Sequence, residues 1–193
     1  MSGMRIIGGR YRGKRLASPE DRSIRPTSER AREALFNILD HAGRITDARF
    51  LDLFCGSGAV GLEAFSRGAG EVWLIDRNTT LASANANTLG HPPNVHIKRM
   101  DATRLGRGPC RFDAVFLDPP YQSNLVPAAL ASLGEGWLGE DALIIVELAA
   151  KENLDPPPSF ALEDERRYGA AKFLFLRLDE HRSSKLAAGE QQG

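Results

Sequence analysis

Asp118-Pro119-Pro120-Tyr121 is the segment of this 193-residue chain whose residue types and spacing could do chemistry most directly. It closes the apolar run Val115-Phe116-Leu117, so a carboxylate, a rigid turn and an aromatic ring follow one another at a strand end. Two prolines hold φ near about −65° and remove two backbone donors, which leaves the local carbonyls to accept from something else. An amine conjugated to a nucleobase ring is a poor nucleophile, because its lone pair is delocalised. If the Asp118 carboxylate and the Pro119 carbonyl accept from its two N–H groups, the nitrogen becomes more pyramidal and its lone pair can be aimed at an electrophilic methyl group. What remains is in-line positioning and stabilisation of the positive charge that grows on nitrogen. Tyr121 would stack on the base and hold it. A strand-terminal Asp-Pro turn alone is common; these four residues after a cofactor-type loop are not.

That loop is Gly56-Ser57-Gly58-Ala59-Val60-Gly61, a G-x-G-x-x-G between a strand and a helix, with Asp76 twenty residues beyond Gly56 at the next strand end. Taken alone it satisfies the dinucleotide fingerprint, so an NAD(P)-dependent oxidoreductase is a serious alternative. Asp52, in Leu51-Asp52-Leu53-Phe54-Cys55-Gly56, argues otherwise by placing a carboxylate where a pyrophosphate would be drawn. A cation suits that position better. S-adenosylmethionine brings one in its ammonium and sulfonium groups, and its ribose still needs an acid such as Asp76.

The elements that must position these residues can be read from periodicity. Met4 to Ala17 predicts a glycine-punctuated β-hairpin, and Thr27 is the expected N-cap of a helix through Arg30–Leu39. Strands are expected at 50–54, 72–75, 95–98, 112–117 and 143–148, with helices at 57–66, 79–89 and 125–133 between them. A final antiparallel pair, 160–168 and 172–178, flanks Gly169. Alternating strands and helices imply an α/β, doubly wound, mostly parallel sheet, which binds ligands at the carboxyl ends of its strands. Asp52, Asp76, Asp101 and Asp118 all fall at or just past such ends. The expected organisation is a basic hairpin and helix over 1–42 belonging to the same domain, a core over 43–178, and a disordered polar tail over 179–193.

Composition narrows the class. With 42% apolar and 26% charged residues, the chain reads as one globular domain. No apolar run approaches the roughly 20 residues that span a bilayer, and no secretory signal is read at the start. Cys55 and Cys110 form neither a metal spacing nor a disulfide framework, so a cytoplasmic, metal-free enzyme is expected. The zero net charge hides an asymmetry: nine Lys/Arg against three acids make residues 1–32 carry +6, leaving −6 for the rest. Such an arm can neutralise phosphates, although a solvated charged surface would look the same.

The sequence resembles the class I S-adenosylmethionine-dependent methyltransferases with an Asp/Asn-Pro-Pro-Tyr motif. More narrowly, it resembles the bacterial small-subunit (16S) ribosomal RNA (guanine-N2)-methyltransferase family. The likeness runs to about Leu178 and rests on Arg5-Ile6-Ile7-Gly8-Gly9, Gly13-Lys14-Arg15-Leu16, Arg25-Pro26-Thr27, Arg32-Glu33-Ala34-Leu35-Phe36-Asn37-Ile38-Leu39, the 51–58 loop, Gly61-Leu62-Glu63-Ala64, Ser66-Arg67-Gly68-Ala69 and the 115–121 segment. The resemblance implies a Rossmann-like, seven-stranded sheet with the last strand antiparallel. It implies methyl transfer to a guanine N2 amine of ribosomal RNA or a partly assembled 30S subunit, by a chain expected to be monomeric. Asp118, Pro119 and Tyr121 would be catalytic. Asp52, Phe54, Gly56 and Gly58 would cradle the methionine part of the cofactor, Asp76 and Arg77 would lie at the ribose, Asp101 and Ala102 at the adenine, and Thr27 above the pocket. Arg10, Arg12, Lys14, Arg15 and Arg25 would contact RNA. Asp76 departs from the family, which more often has Glu there; Asp makes a shorter reach to the same hydroxyls.

A DNA adenine-N6 or cytosine-N4 methyltransferase would use the same tetrapeptide, but the chain has no obvious extra domain for reading a DNA sequence. A non-catalytic RNA-binding protein on the same fold is a further alternative. His41, His91, His96 and His181 lack acidic partners at metal or triad spacing and read as structural or surface residues, and Cys55 has no neighbouring base.

Overall fold

The computed structural model describes residues 4–18, 28–120 and 124–179. In chain order it contains α1 (Glu29–His41), β1 (Arg49–Leu53), α2 (Ala59–Ser66), β2 (Glu71–Asp76), α3 (Thr80–Thr88), β3 (Val95–Arg99), β4 (Phe112–Leu117), α4 (Leu125–Ser132), β5 (Leu138–Ala149), β6 (Phe160–Tyr168) and β7 (Ala171–Leu178). The strands form a seven-stranded sheet in the order β3-β2-β1-β4-β5-β7-β6. The first five are parallel, and β7 runs antiparallel to both β5 and β6. This is the doubly wound, Rossmann-like α/β architecture expected from the sequence.

Side-chain alternation explains why both faces are covered. Phe50, Val72, Leu74, Ala114, Phe116, Ile145, Phe173 and Phe175 point to one face, where α1, α2 and α3 lie, contributing Leu35, Phe36, Leu39, Leu62 and Ala82. Leu51, Leu53, Ile75, Val115, Leu117, Ile144, Val146, Leu174 and Leu176 point to the other, packing with Val126, Ala129 and Leu130 of α4 and with Trp137. Strand order reverses between β1 and β4, so the crevice expected for a ligand opens past Leu53 and Leu117.

The expected N-terminal hairpin is present, and two other expectations are corrected. Around the antiparallel bridge of Arg5 with Arg15, the Ile6 N–H donates to the Lys14 carbonyl at 2.9 Å, the Gly13 N–H to the Ile6 carbonyl at 2.9 Å and the Leu16 N–H to the Met4 carbonyl at 2.8 Å. Glu63 and Ser66 accept from the Ile7, Gly8 and Tyr11 N–H groups and hold the hairpin to the core. The N-cap of α1 is Ser28, whose hydroxyl accepts from the Ala31 N–H, whereas Thr27 lies outside the described residues. β5 starts five residues before the apolar run, because Leu138 pairs with Phe112 through a register irregularity that the Gly139-Glu140-Asp141 sequence disguises as a turn. The tail beyond Asp179 lies outside the described residues. Among the described residues no helix is long and apolar enough to cross a membrane.

Candidate active site at the carboxyl ends of the strands

The glycine loop sits where the sheet's order reverses, and its backbone is strained. Phe54, the residue after β1, has φ 59° without being glycine, and Gly58 caps α2 at φ 74°. Non-glycine residues are held in this region only where the surroundings enforce it, which occurs most often at functional sites. A Cβ on Gly58 would lie 2.9 Å from Leu74 Cδ1, and one on Gly61 would lie 2.3 Å from Leu74 Cδ2. The third glycine of the motif therefore lets α2 approach β2 closely, as the motif's geometry requires.

Two carboxylates hold the loop. Asp52 Oδ2 accepts from the Gly61 N–H at 2.9 Å, and Asp52 is only 1% exposed. Burial pushes its pKa up to about 7 and the Asp76 charge adds to the rise, while the Gly61 bond opposes it. One backbone donor does not compensate a buried carboxylate, whose desolvation costs several kcal/mol. A cation in the adjoining cradle would. Asp76 Oδ2 accepts from the Gly56 N–H at 2.9 Å, and its Oδ1 accepts from the Asn78 N–H at 2.9 Å. Each oxygen keeps a lone pair for a further donor.

Asp101, past β3, accepts from Arg77 at 2.7 Å and from both the N–H and the hydroxyl of Thr103 at 3.0 and 2.7 Å. The Arg77 guanidinium first, then Thr103, hold its carboxyl well below the usual range. Arg77 is thus engaged by Asp101. Ala102 is buried behind them, its carbonyl accepting from Ser132 on α4. Cys55 is buried in the loop, and burial, then Asp52 and Asp76, push its thiol up, which keeps it protonated and unreactive.

Asp118 follows β4 directly and is half-buried, with Pro119 buried behind it and Pro120 exposed; Tyr121 lies outside the described residues. Glu147 of β5 lies beside Asp118, since the register aligns Leu117 with Val146 one residue earlier. Glu147 is 2% exposed and was absent from the sequence reading. Its signal was present, as one acid within Ile144-Ile145-Val146-Glu147-Leu148. Burial raises the Asp118 pKa well above its ordinary value, and the charges of Glu147 and Asp52 raise it further. Alternation carries Asp52, Asp76, Asp118 and Glu147 to the same face of the sheet. The crevice is therefore an acidic, partly dry slot suited to a cationic ligand and unsuited to a pyrophosphate.

Arg10, Arg12, Lys14 and Arg15 are exposed on the arm, while Arg25 lies outside the described residues. Arg32, which contributes to the arm's charge, is 1% exposed and belongs to the core. It donates to the Arg5 carbonyl and pairs with Glu63 at 3.8 Å. Among the described residues no group of three or more His, Cys, Asp or Glu is placed to hold a metal.

The fold and the crevice together define a Rossmann-like class I methyltransferase. The family profile described as Conserved hypothetical protein 95 matches residues 4–177, and the chain belongs to that family. It is 36% identical over 175 residues to Ribosomal RNA small subunit methyltransferase D of Escherichia coli, covering 88% of this chain and 87% of the relative. The Haemophilus influenzae protein of the same name is 34% identical over 178 residues, with 88% and 91% covered. Among solved structures, an Escherichia coli chain described as a methyltransferase, yhhF, superposes with a TM-score of 0.77 at 35% identity. The match covers 91% of this chain and 98% of that one.

Proposed function

We propose that this protein transfers a methyl group from S-adenosylmethionine to the exocyclic N2 amine of a guanine in small-subunit ribosomal RNA. The observation that carries the reading is the placement of Asp118 and Pro119 at the end of β4. They share a crevice with the buried Asp52 and the glycine loop, in a chain whose relatives are named for small-subunit ribosomal RNA methylation.

The residues present fit the cofactor. Asp52 is a buried carboxylate in need of a positive partner, and Gly58 and Gly61 let the loop and α2 pack tightly on Leu74 of β2 and Ala82 of α3 beside it. In this reading Asp52, Phe54, Gly56 and Gly58 hold the methionine part, Asp76 and Arg77 lie at the ribose, Asp101 and Ala102 at the adenine, and Thr27 closes the pocket. When bound, the cofactor supplies a methyl group already activated by a sulfonium charge, so the chemistry needs no Lewis acid.

The chain's own work is on the amine. The Asp118 carboxylate and the Pro119 carbonyl accept from its two N–H groups, orient the lone pair and stabilise the charge that develops on nitrogen. The new N–C bond replaces the C–S bond, the sulfur leaves as a neutral thioether, and the methylated amine releases one proton to water. Binding an amine beside Asp118 offsets the repulsion from Glu147 and Asp52 that burial magnifies, which favours the ionised carboxylate in the complex. Tyr121 stacks on the guanine. Arg10, Arg12, Lys14, Arg15 and Arg25 contact phosphates, steering the arm onto RNA. One chain supplies both arm and pocket, so a monomer acting in the cytoplasm suffices.

The test is incubation with labelled S-adenosylmethionine and, in parallel, 30S particles, naked 16S RNA and duplex DNA, followed by nucleoside analysis. N2-methylguanosine from either RNA sample is expected. Label on another atom, or on DNA alone, refutes the assignment.

A further inference from the structure

Asn85 on α3 is fully buried and makes three bonds. Its Oδ1 accepts from the Ala17 N–H at 2.7 Å, and its Nδ2 donates to the Ala17 carbonyl at 3.0 Å and to the Ser57 carbonyl at 2.9 Å. One planar amide therefore clamps the end of the N-terminal arm to the second residue of the glycine loop. The start of the arm meets the same residue, since the Ser57 hydroxyl donates to Met4 Sδ at 3.8 Å. The rest of the arm rests on α2, the helix that grows out of the loop. Glu63 accepts from the N–H groups of Ile7 and Gly8, both at 2.8 Å. The Ser66 hydroxyl accepts from the Tyr11 N–H at 2.9 Å and donates to the Gly8 carbonyl at 2.6 Å.

We propose that Asn85 is a positioning residue through which occupancy of the glycine loop orders the N-terminal arm, so that cofactor and RNA bind with positive cooperativity. The inference rests on the reading of the loop as cofactor cradle and the arm as RNA contact. Its physical basis is that the three bonds share one side-chain conformation. When the loop shifts the Ser57 carbonyl, the amide either follows it and strains its two bonds to Ala17 or gives up the bond to Ser57. A ligand that fixes the loop holds the amide in register and meets part of the arm's ordering entropy in advance, so RNA meets a smaller cost. By linkage the effect is reciprocal, and RNA on the arm tightens the cofactor by the same factor. A purely structural Asn85 would support stability without transmitting occupancy.

The experiment is amide hydrogen exchange on the full chain with and without saturating S-adenosylhomocysteine, with calorimetry on the same samples to report binding. The Ala17 amide is compared with that of Leu176 in β7, remote from the loop. In the wild type Ala17 should slow by about fivefold or more beyond any change at Leu176, the lower end of ordinary coupling. In Asn85→Leu this excess should vanish although the ligand still binds. Binding with no excess slowing of Ala17 in the wild type overturns the coupling and leaves the cofactor reading intact, as does equal excess in wild type and variant. Absence of binding overturns both. If Asn85→Leu does not fold, the wild-type comparison decides, supported by Met4→Leu, which removes the sulfur acceptor at similar volume and should reduce the excess.

Discussion

Replacing Asp52 with Asn should stabilise the ligand-free protein while weakening its hold on the cofactor, and the gain should depend on pH in a calculable way. Asp52 is 1% exposed, with a pKa pushed from 3.8 up to about 7, chiefly by burial. Below pH 4 the carboxyl is protonated in both the folded and unfolded chain and contributes no pH dependence. Between about pH 4 and pH 7 the unfolded chain has released its proton while the folded one retains it, so stability falls as pH rises. At about 1.4 kcal/mol per pH unit, the loss reaches roughly 4 kcal/mol by pH 7 and is constant above it. Asn imitates the protonated acid: its Oδ1 can keep the bond from the Gly61 N–H, and it carries no charge to desolvate. Urea unfolding of both proteins at intervals from pH 4.5 to 8.5 should therefore give curves that diverge, the variant leading by about 4 kcal/mol at pH 8 and by about 1 kcal/mol near pH 4.5. Calorimetry at pH 8 should show weaker binding of S-adenosylmethionine by the variant. A stability difference that is flat with pH, or a variant less stable at pH 8, would refute the reasoning. Stability would in that case have been traded for nothing, against the usual pattern at ligand sites.

Other outcomes follow from the same geometry. Asp118→Asn should keep cofactor affinity but lower kcat by about 10²–10³-fold, the usual effect of removing one partner to a developing charge, measured by methyl transfer to RNA. Glu63→Ala should cost about 3–5 kcal/mol in chemical denaturation, because it strips the buried Arg32 of its counter-charge and leaves the Ile7 and Gly8 N–H groups without their acceptor. Replacing Arg10, Arg12, Lys14 and Arg15 together with Gln should reduce the slope of log K against log salt for RNA binding by about one per cation removed. Calorimetric affinity for S-adenosylhomocysteine should change little.

Much of the crevice was legible because its signals are local. Val115-Phe116-Leu117 reads as a strand whatever surrounds it, and Asp118-Pro119-Pro120 must end it. The spacing of Asp52, Gly56, Gly58, Gly61 and Asp76 encodes a strand, a turn, a helix and a second strand end. Glu147 was passed over although an acid within an apolar strand was visible, because only the β4–β5 register places it beside Asp118. Local pattern could not place Glu63 and Asn85 against the arm, because the arm residues they bond, Gly8 and Ala17, lie 55 and 68 residues away. The hairpin was legible, but what fastens it to the core was not, for a related reason. Its alternation and glycines fit two paired segments, which bond each other, but the Glu63, Ser66 and Asn85 side chains that also bond its backbone lie far along the chain.

The amino-acid order by itself determined the types of the elements, the chemistry of the loop and the tetrapeptide, and the basic character of the arm, since each depends on residues within a turn or two of one another. Only the tertiary structure decided which of those charges face water. Arg32 counts towards the arm's +6 but is a core strut at 1% exposure, whereas Arg10, Arg12, Lys14 and Arg15 stand in solvent. Asp52 and Asp76 look equivalent in sequence, yet Asp52 lies fully buried and accepts a single backbone bond, while the half-buried Asp76 accepts two. The physical reason is that charge is a property of the residue, but its energy is set by the dielectric and the donors that packing brings around it.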